Sequence, residues 1–296
     1  MVFQKLVTYG EETSYGQTPD DVSRWVGGVV SFSGGVEPAT EEVAVLSSDR
    51  LLKPFVYGLD VGPSIEFYIQ SPRFLKYAFG KTTNTGTSPP YSHLLEIDQD
   101  YELPSITLLE HRIGANSHGY LYNGCRADKL TISWEEDSLL KASMEFKSTR
   151  VTKTTTLPAV SPDTADYFKS SSKTITVDGV QIGYTISGTI TLSNNHAAFP
   201  RSGDFVPKHV AGNVSAEAEL ELYYVDSRFV DLMMSKTKFD VTIRFTKTAQ
   251  NYLEIRLEDC VAGVESALEA EGELLQTVSL KPSGISVLAV DDVSAY

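Results

Sequence analysis

An internal repeat constrains this chain more than any other feature, and it must be settled before a fold is assigned. Ile65–Thr82, IEFYIQSPRFLKYAFGKT, aligns without a gap on Leu220–Thr237, LELYYVDSRFVDLMMSKT, at an offset of 155. Glu66/Glu221, Tyr68/Tyr223, Arg73/Arg228, Phe74/Phe229, Lys81/Lys236 and Thr82/Thr237 are identical pairs, and most others set apolar against apolar. Two weaker matches flank this one in the same order. Gly28–Ser33 resembles Gly188–Ser193, and Cys125 followed by Leu139-Leu140 matches Cys260 followed by Leu274-Leu275 at an offset of 135. The first copy thus has a net 20 extra residues after its helix-like segment, read as a longer loop near 83–103 that contains NTGTSPPYS. Val151–Gly179, rich in Thr, Ser and Lys with Pro158 and Pro162, reads as a connecting segment. The expected domains are 1–157 and 158–296, the second opening with a Ser/Thr-rich linker to about residue 179.

Period-two patterns dominate both copies. Ile65, Phe67 and Ile69 alternate with Glu66, Tyr68 and Gln70; Val241, Ile243 and Phe245 alternate with Thr242, Arg244 and Thr246; Leu253, Ile255 and Leu257 behave likewise. Such alternation predicts sheets with one packed and one polar face. Each copy also carries a hairpin signal, Lys129–Trp134 with Leu140–Phe146 and Val264–Leu268 with Leu274–Leu280. One short helix interrupts each copy. Ser71 caps it with Pro72 at the first position and Phe74, Leu75, Ala78 and Phe79 as its stripe; in the second copy Asp226 is the expected cap. The fold class is mainly β: two tandem β-sandwich or half-barrel domains, each with one short flanking α-helix.

Composition narrows function by exclusion. The net charge of -14 is spread evenly, with 20 Asp+Glu against 13 Lys+Arg in residues 1–150 and 19 against 12 in 151–296. A nucleic-acid grip needs a basic face, which this balance opposes. No apolar run reaches the roughly 18 residues of a spanning helix, and Met1–Glu12 lacks the pattern of a cleaved signal. Cys125 and Cys260 form neither a disulfide framework nor a CxxC pair, and read as buried thiols. No HExxH, GxSxG, P-loop or GxGxxG occurs, so no catalytic, cofactor or metal residue is nominated. His111 and His118, seven apart, do not make a metal site. Asn213-Val214-Ser215 is a sequon by pattern alone. The acidic turns stand out instead: Glu135, Glu136 and Asp137 in the first copy, and Glu269, Glu271 and Glu273 in the second.

Two short motifs carry a family resemblance. Glu12-Thr13-Ser14-Tyr15-Gly16-Gln17-Thr18-Pro19 resembles the opening of many tail tube (major tail) proteins of tailed viruses. Asn123-Gly124-Cys125, followed by Leu130–Ser133, an acidic turn and Leu140–Phe146, is similar to the same family's Gly-Cys-then-hairpin segment. The second copy departs from it, lacking the Tyr-Gly opening and having Asp259 where Gly124 stands. The resemblance implies β-sandwich domains joined edge to edge, six to a ring, in rings stacked as a hollow conduit for genome DNA. Two copies per chain then imply a homotrimeric ring. The acidic turns are expected to face the lumen or the next ring, and the loop bearing Asn84, Thr85, Gly86, Pro89, Pro90 and Tyr91 to reach the next ring. Implied partners are further copies of the chain, a terminator, a baseplate and, if the tail is contractile, a sheath; DNA passes without specific binding, and no membrane or cofactor is involved. The implied location is the virion tail, after synthesis in the host cytoplasm. A baseplate hub or distal tail ring would also use paired tube domains, but would carry extra domains. A carbohydrate-binding or adhesive β-sandwich would need an aromatic site, yet Trp25 and Trp134 both fall in the first copy. An enzyme is the remaining class, with no residue to support it.

Overall fold

A computed structural model describes residues 4–43, 53–98, 102–183, 185–199, 208–268 and 274–296. The first half runs β1 (Gln4–Glu11), β2 (Arg24–Trp25), β3 (Gly28–Ser33), β4 (Val36–Val43), β5 (Lys53–Val61) and β6 (Ser64–Tyr68). A 3-10 turn, Pro72–Leu75, leads into α1 (Lys76–Phe79), then β7 (Gly80–Thr85), β8 (Tyr91–Ile97), β9 (Ile106–Ile113), β10 (His118–Trp134), β11 (Lys141–Lys147) and β12 (Arg150–Thr154). The second half runs β13 (Lys173–Val177), β14 (Val180–Ile182), β15 (Thr185–Ser193), β16 (Ala197–Phe199), β17 (Lys208–Val210) and β18 (Ser215–Tyr223). It continues with α2 (Arg228–Ser235), β19 (Phe239–Thr248), β20 (Asn251–Leu268), β21 (Leu274–Lys281) and β22 (Gly284–Asp291).

The central layer is an antiparallel sheet in the order β3, β6, β11, β10, β15, β18, β21, β20. Its first four strands come from the first half and its last four from the second, joined where β10 pairs with β15. The pairing order within the two groups is the same. Side chains one register apart point to opposite faces, and here whole rows do so. One row reads Val29, Phe67, Ala142, Ile132, Ile190, Ala218, Leu280, Ala262. It faces the core, and Phe67, Ala142 and Leu280 are at most 1% exposed. Crossing the junction between halves does not break the alternation.

Two outer sheets cover the apolar face: β2, β1, β9, β10, β12 over the first half, and β14, β13, β19, β20, β22 over the second. β10 and β20 each belong to both layers, which closes the strand network on itself. Each strand turns from one layer to the other at a left-handed residue, Gly124 (φ 65) and Asp259 (φ 51), followed by a fully buried cysteine. Trp134 of the first half packs edge-on against Phe245 of the second, with centroids 5.4 Å apart, so one apolar core spans both halves.

Several expectations shift at this level. The first helix is capped as expected, with Ser71 accepting from Arg73 N, but it is one 3-10 turn and one α turn. In α2 the cap falls on Ser227, while the Asp226 carboxylate accepts from Arg228 N at 3.0 Å. The segment read as a linker contains β12 and β13; Thr-Ile-Thr-Val alternates well enough to pair with β19. The Gly28/Gly188 match is four residues out of register, since Phe32 opposes Ile65 whereas Gly188 opposes Leu220. A slip of four keeps the strand alternation intact, so similarity alone could not detect it. The expected loop near 83–103 is largely the β7–β8 hairpin, and β8 pairs along β22 from Tyr91↔Asp291 to Glu96↔Ser286.

Candidate functional site

The polar face of the central sheet carries side chains in continuous cross-strand rows through both halves. One of its rows reads Tyr68, Lys141, Ser133, Thr189, Glu219, Ser279; the next reads Ser31, Glu66, Ser143, Thr131, Thr191, Glu217. A third joins Ser187, Glu221, Thr277 and Glu265. Hydroxyls predominate, and the charges are unequally divided. In the first half Glu66 and Glu145 are offset by Lys129, Lys141 and Lys147, and the Lys141 ammonium lies 3.1 Å from Glu66. In the second half Glu217, Glu219, Glu221 and Glu265 face Lys281. The face is therefore hydroxyl-lined with a carboxylate stripe along β18. Ser187 Oγ donates to Glu221 Oε2 at 2.8 Å, so the hydroxyls also orient the carboxylates. Such a face can exclude an anion by charge without offering a fixed hydrogen-bonding pocket.

The expected acidic residues sit elsewhere. Glu135, Glu136 and Asp137 form the exposed β10–β11 turn, with Asp137 at φ 54, at the end of the sheet rather than on its polar face. The turn is tied to the second half by Ser138 N donating to Ser170 Oγ at 2.9 Å. Glu269, Glu271 and Glu273 lie outside the described residues. Of the expected inter-ring loop, Asn84 and Thr85 end β7 and Tyr91 opens β8; Gly86, Pro89 and Pro90 form the exposed tip. Sequence reasoning missed Glu217, Glu219 and Glu221, although their alternation with Ala218, Leu220 and Leu222 is visible in SAEAELELY. Only the cross-strand register shows that they continue rows of serine and threonine.

The two resemblance motifs meet in space. The Glu12 carboxylate accepts from Gly124 N, Gly16 N and Thr107 Oγ1, each at 2.7 Å. Asn123 Nδ2 donates to Thr18 Oγ1 at 2.8 Å and to Thr107 Oγ1 at 3.1 Å. Tyr15 reaches the second half, its hydroxyl accepting from His209 N at 3.0 Å while Arg126 stacks 4.4 Å over its ring. The motif is thus a clamp on the kink of β10. The second half builds the same kink differently: Asp240 Oδ1 accepts from Asp259 N, and Asp178 Oδ1 from Asp240 N, both at 2.9 Å.

A family model described as phage tail tube protein matches residues 3–280. The chain belongs to that family. No individual curated protein matches its sequence. A tail tube chain is a structural component of the virion tail. Among the described residues no group of three His, Cys, Asp or Glu could hold a metal, and no helix is long and apolar enough to cross a membrane. His111 is buried and bonded to Thr8 Oγ1, while His118 bonds the Asn116 carbonyl. Burial pushes both cysteine thiols up to about 12, which keeps them protonated and unreactive.

Proposed function

We propose that this tail tube chain is a tandem duplication of one tube unit, and that three chains close into a ring of pseudo-sixfold symmetry. Rings stack into a conduit whose wall facing the DNA is the polar face of the central sheet. The β10–β15 junction carries the reading. It already joins the two halves edge to edge, and it leaves the β3 edge at one end of the sheet and the β20 edge at the other. These are the counterparts of β15 and β10, so a second chain can repeat the same pairing.

Strand spacing favours three chains. At about 4.8 Å per strand, 24 strands make a barrel about 37 Å across, or about 27 Å between side chains before tilt widens it. On the same untilted footing two chains would leave about 15 Å and six about 63 Å; a tilt of about 40° brings the two-chain pore only to about 22 Å, with no clearance around a double helix. DNA carries one charge per about 1.7 Å of axis. A wall of hydroxyls with a Glu217–Glu219–Glu221 stripe repels those phosphates and holds none. Synthesis in the host cytoplasm, and joining to a terminator, a baseplate and, if the tail is contractile, a sheath, complete this reading.

The register makes the test specific. Ser133 opposes Thr189 within the chain; the corresponding residues at the open edges are Ala267 and Ser33. Ala267→Cys with Ser33→Cys, oxidised in assembled tubes, should give a disulfide ladder of dimers and trimers that stops at three chains. A ladder reaching six overturns the trimer, and absence of cross-links in intact tubes overturns the pairing.

A further inference from the structure

Residues at the helix-bearing end of the two halves differ sharply in exposure. Ile69 and Gln70 follow β6 and are 0% and 7% exposed; Tyr224 and Val225 follow β18 at the corresponding positions and are 39% and 62% exposed. Ala78 and Phe79 end α1 at 1% each, whereas Met233 and Met234 in α2 stand at 36% and 74%. All four exposed residues are apolar or aromatic, which solvent contact alone does not favour.

Known contacts account for the buried set. Phe168, at the entrance to the second half, donates its N–H to Ile69 O at 3.1 Å and accepts from Leu140 N at 2.9 Å. Lys247 of β19 donates to Gln70 O at 2.7 Å and lies over the Phe168 ring. Ile69 and Gln70 are therefore covered by the half that follows them. The β7–β8 hairpin continues from α1 to the β22 edge of that same half. At the second half the corresponding inner contact is made, Tyr224 N donating to Leu274 O at 2.8 Å as Ile69 N does to Leu140 O at 3.0 Å. Among the described residues, however, no following segment covers Tyr224, and α2 runs through Lys236 directly to β19 without a hairpin.

We infer that Tyr224, Val225, Met233 and Met234 form the docking face for the first half of a second copy of this chain. The occupant follows from continuity: the face flanks the open β20 edge as Ile69 and Phe79 flank the closed β10 edge. It rests on the ring reading above. Because the second half has no hairpin, methionines meet the neighbour directly, and their flexible thioethers suit a junction that must pack without a dedicated strand.

The test is Val225→Lys with Met234→Lys, compared with Val180→Lys, which is 52% exposed on the outermost strand β14. Circular dichroism and melting temperature should match wild type in both, since neither face is packed within the chain. By sedimentation and electron microscopy, the double variant should need more than tenfold higher concentration to form rings, while Val180→Lys assembles normally. Amide exchange at Tyr223–Val225 should slow at least tenfold when wild-type rings form. Rings from the double variant at wild-type concentration, with no such protection, overturn the docking face alone. Wild type that stays monomeric at high concentration overturns the ring reading and this face with it.

Discussion

At the residue scale, the two kinks show one backbone requirement met by different chemistry. Gly124 has φ 65, and a Cβ there would come 2.6 Å from Thr149 Cγ2. Asp259 takes φ 51 on an exposed surface, at the modest cost Asp pays in that region. Gly124→Ala should therefore destabilise by about 2 kcal/mol or more, while Asp259→Gly stays within about 1 kcal/mol of wild type; chemical denaturation compares them. Glu11 sets a pH dependence. Burial alone would raise its carboxyl, but the contact with Lys76, the Tyr77 hydroxyl at 2.7 Å and Arg24 at 3.0 Å together hold it down to about 2. A depressed carboxyl stabilises above its unfolded pKa, and that contribution fades as pH falls from about 5 toward 2. Glu11→Gln should lower the melting temperature at pH 7 and flatten its decline across that acid window.

At the element scale, the β10–β15 junction and the β7–β8 hairpin bind the halves together. Gly188 sits opposite Trp134, where a Cβ would come 2.2 Å from the indole ring. Gly188→Ala should cost about 1–3 kcal/mol by overpacking, read as a lower denaturation midpoint with an unchanged slope. On the hairpin, His93 is fully buried, bonds Asn84 at 2.6 Å and stacks 3.8 Å from Tyr296. Its role is invisible in sequence, because His93 and Tyr296 lie far apart along the chain. His93→Ala should lower the melting temperature, whereas shortening the exposed tip Gly86–Pro90 should leave it unchanged. If the tip reaches the next ring, the same shortening should stop tube growth at single rings, visible by electron microscopy.

At the whole-molecule scale, the charge that matters is local. The even balance of -14 conceals a central face that is nearly neutral in one half and carboxylate-rich in the other. Replacing Glu217, Glu219 and Glu221 with Lys should leave tube assembly intact but make tubes retain DNA, with retention falling steeply as salt rises. Release of DNA from the variant at wild-type rates in low salt would show that this face does not meet the genome. The ring reading also predicts an outer surface with threefold features, because the β7–β8 hairpin occurs once per chain.

The sequence by itself determined what depends on near neighbours: the strands, from alternation; the helix positions, from caps and apolar stripes; both hairpins; and the inert thiols. The family motifs were legible too, although not that Glu12 joins them across more than a hundred residues. Tertiary structure alone decided what depends on register and on distant pairing. A period-two pattern says that a strand has two faces, not which strand lies beside it or which rows its side chains extend. For that reason the acidic turns stand out in the sequence whereas the Glu217–Glu221 stripe emerges only from the cross-strand register, and the segment expected as a loop after the first helix is a hairpin bound to the other half.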